Sequence, residues 1–371
     1  MYICRKIQIM SIFNYKQTGR ISLFDKDETS DKLSKLGNPL EKLHKVIDFE
    51  MFRPELEASM LNLDKKSPTG CKPYDVVMMF KIILLKRFYN LSDEQAEYQI
   101  NDRLSFKEFL GFTSGDRIPD SRTIWLFQEK LLQKNLEEKL FAQFHKYLDD
   151  LGLFVNEGKS VDASFVEVPI QRNKKAENEK IKAGEGEQLW HEQPRKKSQK
   201  DIDARWTQKG GQKFFGYKNH IKDDGRSKLI DTYKVTSAEV HDSQPVEELV
   251  SEVDRGQELY GDSAYIGDPI DGMLKEKGVI PQIIERAFKG KPLTDKQKES
   301  NRIKSKTRCR VEHIFGFITN SMNDLYIQSI GFQRAKGIIG LINLVYNMCR
   351  YEQIVRLELA TINNNKLLID R

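Results

Sequence analysis

The chain has 371 residues, of which 39% are hydrophobic, enough to fill the cores of two or three domains. Lys and Arg number 61 against 55 for Asp and Glu, which gives a net charge of +6 and a pI near 8.8. So small an excess, if dispersed, indicates only solubility. Only a clustering of the basic residues in particular parts of the chain would indicate that the protein binds a nucleic acid.

The cysteines and the apolar segments exclude several classes of protein. The four cysteines, Cys4, Cys71, Cys309 and Cys349, form no CxxC pair, which argues against a zinc site and a disulfide framework. No apolar stretch approaches the roughly 20 residues of a membrane span. The opening MYICRKIQIMSIF has charges within its apolar run, unlike a signal peptide, and Met10 is an alternative start. We expect a folded, soluble protein of the cytosol.

The first third of the chain has helical periodicity. Apolar residues recur at a spacing near 3.6 in residues 40–60, where Pro54 predicts a break. Residues 74–90 are apolar over most of their length, which is typical of a buried helix. Ser92 precedes Gln95 by the spacing of a capping box, and the next amphipathic run ends near residue 152. These patterns predict an all-α domain.

Strand patterns begin after this point. Residues 158–171, GKSVDASFVEVPIQ, carry the β-branched and aromatic residues of a strand, with Asp162 inside it. Residues 172–213 are charged and nearly free of aliphatic side chains, so we expect a mobile insertion. Two further strand-like runs follow, KFFGYKNHIKDD and SKLIDTYKVTSAEV, separated by Asp224-Gly225, a signal for a two-residue hairpin turn.

The remaining elements alternate between helix and strand. SQPVEELVSEV predicts a helix with Ser243 as its cap, QELYGDSAYIG and VIPQII predict strands, and DPIDGMLKEKG and SKTRCRVEHIFGFITNSM predict helices. This order predicts an α/β domain whose mixed sheet has helices on its faces. We therefore expect four parts: an N-terminal arm at 1–39, a helical domain at 40–152, an α/β domain at 153–350, and a C-terminal helix and tail at 351–371.

Three acids occur in settings that suit a catalytic site. Asp162 lies within a strand, Asp262 follows a strand between two small residues, and Glu312 lies in a helix with Arg308 four residues earlier. Each also has an ordinary explanation. Asp162 would face water from a half-buried strand, Asp262 would cap a loop, and Arg308 and Glu312 would form a surface ion pair.

If the three acids converge, their charges require a divalent cation. Carboxylate oxygens suit Mg²⁺ or Mn²⁺. In phosphoryl transfer, one such ion activates the nucleophile and a second stabilises the leaving oxygen. Spacing alone is weak support for this site, because the chain has 55 acids and many triples can be drawn.

Several stretches together resemble a known family. They are IPDSRTIWLF, DARWTQKGGQKFFGYKNHI, VTSAEVHDSQPVEEL, LYGDSAYIG and RCRVEHIFGFI, and the resemblance extends from about residue 40 to 350. The chain resembles the DDE transposases of bacterial insertion sequences, most of all the insertion sequence 5 family. This resemblance implies a ribonuclease-H-like catalytic fold, a DNA substrate, Mg²⁺, and an acid triad formed by Asp162, Asp262 and Glu312.

The chain departs from one motif of that family. Related transposases commonly carry a Tyr, Arg, Glu and Lys signature, of which Arg308 and Glu312 are present. Ser305 occupies the Tyr position and Thr319 the Lys position. Because that lysine is thought to contact DNA phosphate, its absence puts the phosphate contact in doubt. Lys304 or Lys306 is the candidate to replace it.

Cations and an aromatic residue near the presumed site suit DNA contact, although charge runs are usually solvated loops. The glycines of WTQKGGQKFFGYK allow the backbone to approach a phosphate chain. The helical domain either binds transposon ends or forms a dimer, and Arg117 and Arg122 in it bind DNA or serve as caps. The predicted DNA contacts are Arg205, Trp206, Lys209, Lys213, Lys218, Lys304 and Lys306.

The sequence therefore predicts a transposase that cuts DNA at transposon ends and joins the freed 3′ ends to target DNA. Synapsis of two ends implies at least a homodimer. Two alternatives are a catalytically silent DNA-binding protein derived from such an enzyme and a plain DNA nuclease that cuts without joining.

Overall fold

The computed structural model describes residues 28–61, 72–113, 115–322, 326–357, 360–363 and 366–369. Met10, Cys4 and Cys71 lie outside these residues. The chain divides into two compact units, of which one ends at Lys130 and the other contains Arg87–Asn90 and the described residues from Leu131 onward. This division assigns residues 136–150 to the unit of the sheet, whereas the sequence boundary was set at residue 152.

The first unit is helical, as predicted. The predicted helix at 40–60 is three elements, because the chain becomes extended at Ile47 and the Asp48 carboxylate accepts a hydrogen bond from the Glu50 amide, which starts a 3₁₀ turn. Pro54 lies in the first turn of the next helix, where a missing N–H costs nothing. The helices are α1 Glu28–Lys35, α2 Pro39–Val46, α3 Arg53–Met60, α4 Val76–Phe88, α5 Asp93–Asp102, α6 Leu104–Leu110 and α7 Ser121–Gln133, which passes the boundary of the units.

Two predictions for this unit are confirmed. The Ser92 hydroxyl accepts from the Gln95 amide (3.1 Å), and the Gln95 side chain accepts from the Ser92 amide (3.0 Å), which completes the capping box. Residues of α4 are buried on all faces, including Phe80, Ile82 and Ile83. Helix α4 is therefore the centre of the apolar core of this unit.

The second unit contains a mixed sheet. Its strands are β1 Lys159–Glu167, β2 Arg205–Lys209, β3 Gln212–Asp224, β4 Ile230–Ser237, β5 Glu258–Gly261 and β6 Ile280–Ile283. The order is β4-β3-β1-β5-β6, with β2 paired to the first residues of β3. Strands β1, β3 and β4 pair antiparallel, whereas β5 and β6 run parallel to β1. The predicted mixed α/β fold is confirmed.

Helices cover the two faces of this sheet. The helices of this unit are α8 Leu136–Asp150, α9 Lys175–Lys182, α10 Pro194–Lys197, α11 Val246–Leu249, α12 Asp268–Glu276, α13 Asp295–Ser321 and α14 Phe332–Arg356, of which α11 to α14 contact its strands. Val161 packs with α11 and α12 in one apolar cluster. On the opposite face, which Asp162 shares because side chains alternate, Asn219 of β3 hydrogen-bonds Asn343 of α14 (2.8 Å).

Residues 172–213, predicted to be a mobile insertion, contain α9, α10, β2 and the start of β3. Polar contacts hold them in place of an aliphatic core. The Trp190 indole and the Lys196 ammonium both donate to Glu177 (2.8 Å each), and the Tyr217 hydroxyl donates to the buried carboxylate of Asp201 (2.8 Å). Such pairings depend on residues distant in sequence, which composition does not reveal.

Three other boundaries differ from prediction. The turn between β3 and β4 is longer than two residues, and Lys228 at φ +59° rather than Gly225 takes the left-handed conformation. The helical run before residue 152 is divided into α7 and α8 near Asn135, which has φ +49°. Residues beyond α14 form a hairpin of β7 Ala360–Asn363 and β8 Lys366–Ile369. No described helix combines the length and the apolar character that crossing a bilayer requires.

Gly216 is a position that tolerates no side chain. It lies opposite Glu167 where β1 ends, and a Cβ there would meet the Val166 carbonyl oxygen at 2.2 Å. We expect Gly216→Ala to lower the free energy of unfolding by about 2–3 kcal/mol, because backbone must move. Gly316→Ala is the matched control, since a Cβ there meets nothing within 4 Å. Equal unfolding curves for the two variants in urea would contradict this account.

The buried His220 should make the folded protein less stable in acid. Its side chain is buried, Nε2 lies 2.8 Å from the Thr236 hydroxyl, and burial lowers its pKa to about 4. The unfolded chain binds the proton near pH 6.5, so this group's contribution to stability is lost as pH falls from 6.5 toward 4.

Between pH 7.5 and 5.0 wild type should therefore lose about 2 kcal/mol of unfolding free energy relative to His220→Gln, measured by urea denaturation. An unchanged difference between the two proteins at both pH values would show that His220 is not held neutral.

Candidate active site

The pairing of β1 with β5 brings two of the predicted acids to one edge of the sheet. Lys159 pairs with Leu259 and Ser160 with Tyr260. The same offset of 100 residues, continued, sets Asp162 opposite Asp262. Neighbouring strands lie about 4.8 Å apart. The two carboxylates are therefore close neighbours, and Asp262 follows the last residue of β5.

Asp162 is a poorly solvated carboxylate. Its side chain is 17% exposed, its Oδ1 accepts from the Ala163 amide (2.8 Å), and its Oδ2 lies 3.6 Å from Nη1 of Arg308. Burial raises the pKa of Asp162 to about 6, and the charge of Asp262 also raises it, against the lowering effects of the Ala163 amide and Arg308. A solvent-facing strand residue would not be so affected, so the first ordinary explanation does not hold.

Asp262 is both a cap and a neighbour of Asp162. Its Oδ1 accepts from the Ala264 amide (2.8 Å) and starts a 3₁₀ turn at Ser263–Tyr265. The ordinary explanation therefore accounts for one oxygen. The cap also fixes the orientation of the carboxylate, which is useful to any ligand that the pair binds.

Arg308 of α13 connects Asp162 with the third acid. Its Nη2 donates to Oε1 of Glu312, and its Nη1 faces Asp162. Glu312 is 57% exposed, and the ion pair four residues apart in the helix is the ordinary contact that the sequence also allowed. The buried Nε of Arg308 has no hydrogen-bond partner. The guanidinium thus lies between two of the three acids.

The donor set fits a divalent cation, although the three acids do not form a closed cluster. Among the described residues no group of three or more His, Cys, Asp or Glu side chains is gathered closely enough to hold a metal. However, Oδ2 of Asp162 has no donor at normal hydrogen-bond distance, and the adjacent Asp262 adds a second negative charge. Hard oxygen donors that are buried and mutually repulsive are what Mg²⁺ or Mn²⁺ compensates.

Some predicted DNA contacts are engaged inside the protein. Arg205 donates to the carbonyl of Ile202 (2.6 Å), and Lys304 donates to the carbonyl of Ile283 (3.0 Å). Lys218 is buried and pairs with Asp242 (2.8 Å). In this conformation these three cations serve the fold.

The other predicted contacts are exposed. Trp206 is 49% exposed on the hairpin of β2 and β3, which turns at two glycines, and Lys209 and Lys213 lie on the same hairpin. Lys306 is exposed on α13. These four residues remain candidates for DNA contact.

One acid near the site was not singled out from the sequence. Asp223 pairs with Ser160 across β1 and β3, so it lies on the same face as Asp162. Neither of its carboxyl oxygens has a hydrogen-bond partner, and burial, followed by the charge of Asp224, raises its pKa well above the usual range. The available signal was the acid pair that ends the strand KNHIKDD, which the hairpin prediction treated only as a turn.

Comparison with known proteins shows which family the chain resembles. Residues 156–348 match the family described as "Transposase DDE domain", and residues 27–130 match the one described as "Transposase domain (DUF772)". A solved structure, "Cryo-EM structure of piggyBac transposase synaptic complex with hairpin DNA (SNHP)", is similar at 12% identity and a TM-score of 0.42, over 94% of this chain and 80% of that chain.

The match to the DDE domain covers more than half of the 371 residues, which confirms the resemblance to DDE transposases but does not distinguish the insertion sequence 5 group within them. The chain belongs to the DDE transposase family, whose members cut DNA and join its ends by transesterification.

Proposed function

We propose that this transposase cuts DNA at the ends of an insertion sequence of the insertion sequence 5 group and joins the freed 3′ ends to target DNA. Asp162, Asp262 and Glu312 are its catalytic acids, and they hold Mg²⁺ or Mn²⁺. The observation that best supports this proposal is the register of β1 and β5, which makes neighbours of Asp162 and Asp262.

The chain's own residues prepare this chemistry. The Ala163 and Ala264 amides each occupy one oxygen of an aspartate, so the orientation of both carboxylates is fixed. Bound divalent ions would lower the pKa of the attacking water or 3′-hydroxyl and stabilise the leaving oxygen. Arg308 positions Glu312 in the free protein and is within reach of a DNA phosphate when Glu312 turns toward the aspartates.

Further parts of the chain contribute to DNA handling in this proposal. Trp206, Lys209 and Lys213 on the β2–β3 hairpin and Lys306 on α13 contact DNA beside the acids. The helical N-terminal domain binds transposon ends or forms the homodimer that synapsis requires. We further propose that the protein works in the bacterial cytosol, on the nucleoid.

The direct test is cleavage and strand transfer in vitro, on DNA carrying the element's inverted repeats, with Mg²⁺. We expect Asp162→Asn and Asp262→Asn to lower both reactions by at least about 10³-fold while DNA binding is retained, since each removes a metal ligand. Glu276→Gln, an exposed acid of α12, is the matched control and should act like wild type.

The outcomes separate the alternatives. Cleavage without joined products by wild type would make the protein a plain nuclease. Binding without cleavage by wild type, in Mg²⁺ and in Mn²⁺, would indicate a catalytically silent DNA-binding protein. Aspartate variants that cut as well as wild type would refute the acid assignment.

The position of Arg308 leads to a separate prediction about metal binding by the protein without DNA. Its guanidinium faces Asp162 and Glu312, and therefore competes with a cation for the same acids. Removing this charge in Arg308→Gln should tighten Mn²⁺ binding by about 3- to 10-fold, as expected for one partly screened charge. The concentration of free Mn²⁺, followed by electron paramagnetic resonance, measures the affinity.

Arg310→Gln is the control for this measurement, because Arg310 donates to the Gly225 carbonyl (2.8 Å) rather than to the acids. Weaker Mn²⁺ binding by Arg308→Gln than by Arg310→Gln would mean that Arg308 helps to organise the metal site instead of competing for it.

A further inference from the structure

We infer that residues 286–292, which follow β6 and are named here the basic turn, form a second DNA-contacting element of the catalytic unit. Phe288 stacks on an unstacked base of one strand, and the neighbouring cations contact the phosphates of that strand. This inference rests on the proposed function, because it requires DNA at the acids.

The sheet directs the basic turn to the same edge as the acids. Strand β6 is parallel to β5, with Gly261 paired to Ile283, and the Ile284 amide donates to the Gly261 carbonyl (3.1 Å). The same register sets Asp262 level with Ile284. The chain enters the basic turn only two residues later, and therefore leaves the sheet beside the aspartate pair.

The basic turn carries charge that the fold does not use. All its residues are exposed, and Arg286, Lys289 and Lys291 give it three positive charges and no negative one. None of the three makes an ion pair with any residue that the structure describes. Unpaired cations on a solvated loop are common, so charge alone does not identify a ligand.

The exposed aromatic ring indicates which kind of ligand the basic turn binds. Phe288 is 56% exposed, and the Arg286 guanidinium lies 5.3 Å from its ring centroid. A large apolar side chain is costly to leave in water, and an aromatic ring among cations is the arrangement that binds single-stranded nucleic acid, by stacking and by phosphate contact. A duplex with all its bases stacked offers no face to such a ring.

The basic turn is also preformed. Phe288 and Lys291 exchange two backbone hydrogen bonds (3.2 and 2.9 Å), and Gly290 between them has φ +79°. At its base, the Glu285 amide donates to the side chain of Asn301 in α13 (3.0 Å), and the Asn301 amide group donates to the Glu285 carbonyl (2.8 Å). Little ordering entropy is left to lose when a strand binds.

Helix α13 sets the distance from the basic turn to the catalytic residues. Asn301, which holds the base of the turn, precedes Arg308 by seven residues, about 10 Å along the helix axis. A stacked DNA strand advances about 3.4 Å per nucleotide, and an unstacked strand is more extended. The ring of Phe288 is therefore suited to a base within a few nucleotides of the phosphate that is cut.

The test uses the full chain and a single-stranded oligonucleotide, with binding followed by fluorescence anisotropy at several salt concentrations. Phe288→Ala should weaken binding by about 5- to 100-fold, the range for loss of one base stack, and Phe288→Trp should restore it. Lys289→Ala/Lys291→Ala should reduce the slope of log K against log salt by about 1.4, or about 0.7 per lost phosphate contact.

Two controls keep the result specific. Val253→Ala removes an exposed apolar residue elsewhere on the unit, and Lys146→Ala/Lys275→Ala removes two exposed lysines from α8 and α12. Phe288→Ala binding like Val253→Ala, or equal salt slopes for the two double-lysine variants, would overturn the inference. That outcome would leave the proposed function intact, because loss of cleavage in Asp162→Asn does not depend on the basic turn.

A second experiment locates the base that Phe288 contacts. In DNA of the transposon end, the fluorescence of 2-aminopurine placed one to six nucleotides from the cleaved phosphate should rise at one position with wild type, because the base leaves its stack, and not with Phe288→Ala. Fluorescence changes that are the same for both proteins at every position would also overturn the inference.

Discussion

The structure of the second unit depends on the pairing of β1 with two different neighbouring strands. On one side β1 pairs antiparallel with β3 over nine residues, and on the other it pairs parallel with β5 over a short segment. The long pairing fixes which side chains face α13 and α14, and so places Asp162 beside Arg308 of α13. The short pairing fixes the position of Asp262 along the strand direction, level with Asp162. A shift of either register by one residue would turn an aspartate to the other face of the sheet.

Much of this arrangement could be predicted because the local signals agree. Alternating and β-branched residues marked β1, and Asp262 follows an apolar strand between small residues, so both positions were visible in the sequence. The pair of Arg308 with Glu312, four residues away in the same helix, was also visible. The contact of Arg308 with Asp162 was not visible, because the two residues are far apart in the chain.

The errors share a physical cause. Residues 172–213 look unable to fold because they lack aliphatic side chains, yet Glu177 accepts hydrogen bonds from Trp190 and Lys196, and Asp201 accepts them from Tyr217 and Gly331. Lys218 and Lys304 look available to DNA because they are cations, yet the fold uses both. Polar pairing over long separations in sequence leaves no periodic signal, so pattern analysis finds apolar cores more readily than polar ones.

Helix α13 has a further consequence for how this catalytic unit can vary. Its 27 residues connect Asn301, which holds the chain after β6, to Arg308, which faces Asp162, without an intervening loop. Each residue of a helix rotates the next by about 100°. A single inserted or deleted residue between these two positions would turn Arg308 and Glu312 away from the sheet. Related chains can therefore change side chains in this interval more readily than its length, which should be invariant.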